Sequence, residues 1–217
     1  MSLRTTAHGG SAGRTGSLGF VPRASIASAV AGAVTLGLLA ACGSGGDADA
    51  VPTLAKTDGW RSGLDTTSFP SQAGFAVLEL AYDEAGALAL WDAAVPDGLP
   101  AASGDPVDVG IYGDLADVDL TTHVVGLWSS GQSGSCPGWL DAARIEDGEL
   151  WLVDADGGPG ECTTDYNAYS QVVVLERDRV PPAGSLPVTA RLTHAAMADV
   201  PGQPGTSLRA LVTAFVG

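Results

Sequence analysis

The side chains of this chain that could do chemistry fall into three groups: three cysteines (Cys42, Cys136, Cys162), a serine-rich loop with two distant histidines, and two carboxylate runs. Ser129, Ser130, Ser133 and Ser135 crowd a Gly-rich loop, and Gly131-Gln132-Ser133-Gly134-Ser135 has the outline of a hydrolase elbow. The outline is incomplete, because Ser135 stands where the second Gly of G-x-S-x-G belongs. A triad would also need His123 or His194 as its base. Each begins or ends an alternating apolar run, where a hydrogen-bonded structural imidazole is the simpler account. Asp105, Asp108, Asp114, Asp117 and Asp119 make one acidic run, and Asp154, Asp156 and Glu161 make a second around Gly157-Gly158-Pro159-Gly160. Oxygen ligands of this kind suit calcium, and the second run opens like a calcium loop. Pro159 nevertheless occupies the place of the required Gly. No metal site is therefore expected, Asp154, Asp156 and Glu161 being the nearest approach to one. Neither cysteine of the 136/162 pair is flanked by further thiols or imidazoles, which sets aside a zinc site.

Short strands must position these residues. Asp147-Gly148 between alternating runs is the best hairpin signal, suited to a two-residue type I′ turn. That turn sets Ile145 opposite Leu150, Ala143 opposite Leu152, Arg144 opposite Trp151 and Glu146 opposite Glu149, with Arg144 placed diagonally to relieve the glutamate pair. Alternation recurs from Val188 to His194 and from Leu208 to Val216, the pattern of half-buried strands. Gln171 to Leu175 is an apolar run fit for a central strand, while Val107 to Ile111, His123 to Trp128 and Phe75 to Tyr82 supply three more. From Asp83 to Val95 the spacing predicts a short helix with Asp83 as N-cap, stopped before Pro96, with Leu88, Trp91 and Val95 on one stripe. A hairpin turned at Asp-Glu-Ala-Gly is the alternative for this segment. The fold class expected is mainly β: a single sandwich or open-barrel domain of about eight strands with one short helix and one disulfide. Trp60, Trp91, Trp128, Trp139 and Trp151 would form a sugar-binding face if several were exposed together, though core or rim packing is the commoner use.

The N-terminus carries an address. Arg4, Arg14 and Arg23 precede an uncharged stretch from Ala24 to Ala41, and no acid occurs before Asp47, the layout of a secretory signal peptide. Its end, Leu39-Ala40-Ala41-Cys42-Gly43-Ser44, resembles the bacterial lipobox. That resemblance implies cleavage before Cys42 and a covalent diacylglycerol on its thiol, with no other cofactor. One acyl chain anchors marginally and several hold firmly, at about 0.8 kcal/mol per buried methylene. With Cys42 lipidated, Cys136 and Cys162 are the thiols left in an oxidising compartment and should bond to each other. Closing that loop is worth about 3.5 kcal/mol in the chain-entropy account.

Three segments follow: 1–41 as lipoprotein signal peptide, 42–69 as lipidated N-terminus and flexible tether, and 70–217 as the β-rich extracytoplasmic domain. The whole chain has 25 acidic and 10 basic side chains in 217 residues. Without residues 1–41 it keeps 7 basic groups against the same 25 acids, a net of -18. Such a charge argues against nucleic acid as partner and repels anionic headgroups, so the domain should stand off the membrane on its tether.

The segments Gly110-Ile-Tyr-Gly-Asp-Leu-Ala-Asp-Val-Asp119, Trp128-Ser-Ser-Gly-Gln-Ser-Gly-Ser-Cys136-Pro137 and Cys162-Thr-Thr-Asp165 resemble short exported or lipid-anchored proteins of actinobacteria. These share an SGSCP segment and a later Cys-Thr-x-Asp, and the resemblance covers roughly the middle third of the chain. It implies the Cys136–Cys162 bond and export, and no catalytic activity. The function expected is a lipoprotein on the outer face of the cytoplasmic membrane, a non-enzymatic interaction, structural or sensing module. Its partners would be the membrane through the lipid and an envelope protein, glycan or cation. A calcium- or glycan-binding domain is the first alternative, and a serine hydrolase using Ser133 the second.

Overall fold

Alternating and apolar runs of the chain become the strands of one sheet. The computed structural model describes residues 49–65, 76–157, 162–194 and 208–216. Within them the strands are β1 (Thr53–Asp58), β2 (Val77–Ala81), β3 (Gly110–Ile111), β4 (His123–Gln132), β5 (Gly138–Glu146), β6 (Glu149–Asp156), β7 (Asn167–Glu176), β8 (Val188–His194) and β9 (Leu208–Ala214). They are joined by one α-helix, α1 (Glu84–Ala94). The signal-like leader, Cys42, Glu161 and the His194 side chain lie outside the described residues.

The strands run in the order β3-β1-β7-β4-β2-β9-β8-β6-β5, a single sheet curled into half a barrel. The domain is mainly β, and of the two architectures expected it is the open barrel. β2–β9 and β6–β8 pair in parallel, the remaining neighbours antiparallel. The β5–β6 hairpin has the register set by its turn, from Ala143 opposite Leu152 to Glu146 opposite Glu149. Asp147 and Gly148 take φ of 53° and 79°, the two left-handed conformations that a type I′ turn requires. One detail differs. Arg144 contacts Glu146 of its own strand, and Glu149 is met instead by Arg191 from β8.

The ninth strand is β1, and it corrects the domain boundary. Thr53–Asp58 falls inside the expected tether, yet it pairs with β3 on one side and β7 on the other. Leu54, Ala55, Lys56 and Thr57 are all buried. A strand buried on both faces that also carries a lysine shows neither an alternation nor an apolar run, which is why it reads as linker. The fold therefore includes Asp49 to Asp58, well before Pro70. Conversely, the strand expected over Val107 to Ile111 shrinks to Gly110–Ile111, because the carbonyls of Pro106 and Val107 are taken by the Lys56 ammonium.

The helix forms as expected, with the Asp83 carboxylate accepting from the Gly86 N–H. Its buried stripe is different. Ala87, Leu90 and Ala94 face the sheet, while Leu88 is 50% exposed and Trp91 and Val95 are half-buried. Small residues win the sheet-facing side because they let the helix lie close over Val125, Leu127, Val172 and Val174 on the convex face. The concave face holds the second core, including Leu78, Trp128, Tyr169, Val173 and Leu175.

Gly126 sits in the middle of β4 on that concave face. A Cβ there would lie 2.8 Å from Leu175 Cδ1, 3.0 Å from Leu78 Cδ1 and 3.1 Å from Val173 Cγ2. Gly126→Val should therefore destabilise the fold by about 1–3 kcal/mol through overpacking, read as a lowered urea midpoint.

Candidate functional site

Lys56 of β1 stands opposite Gln171 of β7, which stands opposite Trp128 of β4. Cross-strand partners share a face, so all three project into the concave side. The Lys56 ammonium is fully buried and donates to the carbonyls of Pro106 (2.9 Å), Val107 (3.0 Å) and Gly138 (2.7 Å). Its three protons are thus all used. The Tyr169 ring lies 5.0 Å from Nζ, a further attraction for the cation. Trp128 Nε1 donates to the Tyr169 hydroxyl (3.0 Å), which donates to Asp154 Oδ1 (3.2 Å). Gln171 completes the group. Its Oε1 accepts from the Leu140 N–H (2.7 Å), and its Nε2 donates to the Leu140 carbonyl (3.2 Å) and to Thr53 Oγ1 (2.6 Å).

Burial shifts both charges of this cluster. The Asp154 carboxyl is pushed up to about 8 by desolvation, against the pull of the Tyr169 hydroxyl and the Lys56 charge. Lys56 is pushed down to about 8 by desolvation, with Asp154, Asp108 and Asp58 opposing. At neutral pH the site holds a carbonyl-bound ammonium beside an uncharged carboxyl. Perturbed groups of this kind mark candidate functional sites. Here every donor of Lys56 is spent on backbone and the Gln171 amide on the Leu140 backbone and the Thr53 hydroxyl, so the arrangement fastens strands.

A second polar cluster lies on the convex face. Arg61 binds Glu79 through two parallel hydrogen bonds, Nε to Oε2 at 2.7 Å and Nη2 to Oε1, with both side chains nearly buried. Phe215 packs under the guanidinium at 5.0 Å. Trp60 Nε1 donates to the Ser130 carbonyl (3.1 Å), and its ring meets Tyr166 edge-on at 6.5 Å. Beside them opens a cleft of about 280 Å³ lined by Asp58, Trp60, Arg61, Asp92 and Pro96 among others.

The sequence candidates are dispersed. Cys136 and Cys162 are bonded, with their Cα atoms 5.5 Å apart. Ser133 Oγ shares hydrogen bonds with Thr163 Oγ1 (2.8 Å) and Ser135 Oγ (3.2 Å), and Asp165 receives the Gly134 N–H (3.0 Å). The Thr163 hydroxyl above all holds Asp165 below the usual carboxylate range. His123 lies at the other end of β4, bonded to Thr122 and Asp119, about 30 Å of strand away from Ser133. The loop around Ser133 thus closes on itself, next to the disulfide. Asp154 points inward, and among the described residues no three His, Cys, Asp or Glu side chains converge as metal ligands. The tryptophans share no surface. Trp128 and Trp139 are buried, Trp151 lies between Arg144 and Arg191, and Trp60 and Trp91 flank different hollows.

Lys56, Gln171 and the Arg61–Glu79 pair escaped the sequence reading. One signal was present: Lys56 is the only lysine beside nine arginines. A tripod of carbonyls calls for a compact ammonium with three donors, which the planar guanidinium fork does not supply.

No family model matches the chain, and no curated protein or solved structure matches it.

Two outcomes follow from the buried groups. Asp154 has a raised folded-state value, so its contribution to stability is complete below pH about 4 and is lost as the pH rises through about 8. Lys56 has a lowered one, so its contribution is complete above pH about 10.5 and is lost as the pH falls through about 8. Together they place a trough of stability near pH 8. The Tm of the parent should fall between pH 5 and pH 8, and Asp154→Asn, which mimics the uncharged acid, should flatten that fall. Calcium and sodium at matched ionic strength should raise the Tm alike, by screening an acidic chain. A micromolar calcium site at thousandfold excess would instead add about 4 kcal/mol.

Proposed function

We propose that the chain is an extracytoplasmic lipoprotein whose β domain acts by binding a partner rather than by catalysis. The Cys136–Cys162 bond carries this reading, since a structural disulfide belongs to an oxidising compartment. It also leaves Cys42 as the remaining thiol, behind a leader of signal-peptide layout and next to small residues. No helix among the described residues is long and apolar enough to cross a bilayer. In this reading attachment to the outer face of the cytoplasmic membrane comes from the diacylglycerol on Cys42. The self-contained bonding of Ser133, Thr163 and Asp165 supports a module without a nucleophile. A glycan-binding role keeps one observation in its favour, the cleft where Trp60 stands beside Asp58, Arg61 and Asp92.

Metabolic labelling with a radioactive fatty acid tests the anchor. The parent should incorporate label, and Cys42→Ala should lose it entirely, appearing as unprocessed precursor or in the medium. Label persisting in the variant would remove the lipoprotein reading.

A further inference from the structure

Apart from Glu84 and Asp92, α1 is apolar or small on every side. A helix of that composition has two faces to cover. The sheet covers Ala87, Leu90 and Ala94. The other stripe, Leu88 and Trp91, lines a groove of about 520 Å³ whose far wall is Leu115, Val118 and Leu120 from the segment around a 3-10 turn at Leu115–Asp117. Leu88, in its lining, is half exposed. The groove is therefore a largely apolar hollow between a helix and a short turn, with carboxylates in its lining.

The two segments that wall it carry one sign of charge, the nearest cation being Arg177, whose guanidinium is spent on the Leu120, Tyr82 and His123 carbonyls. From Asp83 to Thr122 the chain has nine acidic residues and no Lys, Arg or His. Glu84 and Asp114 line the groove directly, and Asp92, Asp117 and Asp119 are exposed on the same two segments. Among the described residues none of these five forms an ion pair. An anionic lipid surface would be repelled by such a rim, and so would the same groove on a second copy of the chain.

We propose that this groove docks a basic amphipathic helix of a partner polypeptide, its apolar side chains seated between α1 and Leu115–Leu120 and its Lys or Arg residues meeting the acidic rim. Helix-in-groove recognition has this anatomy, with anchors at three- and four-residue spacing. The proposal rests on the reading of the domain as an interaction module and is independent of the lipid on Cys42, which fatty-acid labelling tests separately.

The test uses full-length protein in neutral phosphatidylcholine nanodiscs, with empty discs as blank. The probe is a fluorescent 18-residue amphipathic peptide of Leu and Lys, and binding is read by anisotropy. The parent should bind it, and a Leu/Glu peptide of the same pattern should not bind. Leu88→Asp is the decisive variant because it adds an acid to the rim. Charge attraction alone predicts equal or tighter binding, whereas docking in the groove predicts weakening of tenfold or more. Leu208→Asp, at a similarly exposed leucine of β9, should leave affinity unchanged. Circular dichroism checks that both variants keep the parental fold. The proposal is overturned if the parent fails to bind the Leu/Lys peptide, if Leu88→Asp binds as tightly as the parent, or if Leu208→Asp weakens binding equally.

Discussion

A sheet that curls through nine strands without closing leaves a seam, here where the edge strand β5 comes round to the start of β1 and to β7, the far edge being the two-residue β3. Backbone groups buried along such a seam must find partners, at a cost of about 1–3 kcal/mol for each one left bare. Three devices meet that requirement. The segment before β1 pairs directly with β5, Val51 N–H donating to the Asp141 carbonyl (2.8 Å) and Ala143 N–H to the Asp49 carbonyl (3.1 Å). Further along, the Gln171 amide stands in for a peptide group, meeting both the N–H and the carbonyl of Leu140. At the far end Lys56 takes the Gly138 carbonyl and ties in the Pro106–Val107 turn. Arg179 reinforces the start of the seam by binding Asp49 at 2.6 Å. The disulfide lies beside this end of the seam, Cys136 standing two residues before the Gly138 that Lys56 holds.

Burying an ammonium is costly unless its donors are fully used, and a partner carboxylate is one way to offset the charge. This fold uses carbonyl dipoles and an aromatic face instead. Asp154 is near enough to feel Lys56 and is still pushed into its neutral form, because its own desolvation outweighs that attraction. A neutral acid can accept from Tyr169 and keep a proton to give, so the Trp128–Tyr169–Asp154 chain remains satisfied without a second buried charge. The buried titratable groups thus serve closure of the sheet.

Local signals made the hairpin legible to the last pair, since turn chemistry dictates register over a few residues. The disulfide was legible from the thiol count together with the export expected of the leader, and the alternating strands from period-two burial. β1 was not, because its burial on both faces depends on β7 and β3, more than fifty residues away. The face of α1 was misread for a related reason. Periodicity marks an apolar stripe without saying which of two stripes meets the sheet, and closeness of packing favoured alanines over Leu88 and Trp91. For the candidate site, residue types pointed to Ser133 and the carboxylates, but their bonding is internal. Lys56 and Gln171 carried no motif, and only the topology brings them together.

What the fold leaves unsatisfied is therefore apolar surface more than polar chemistry. An exposed leucine and a half-exposed tryptophan on a helix would ordinarily invite self-association. Here they sit within a run of nine acids and no bases, so two copies brought together along this face repel each other. Like charge around an apolar groove thus acts as a filter. It lowers the attraction of the chain for itself and for anionic membranes, and it leaves the groove open to a surface of opposite sign.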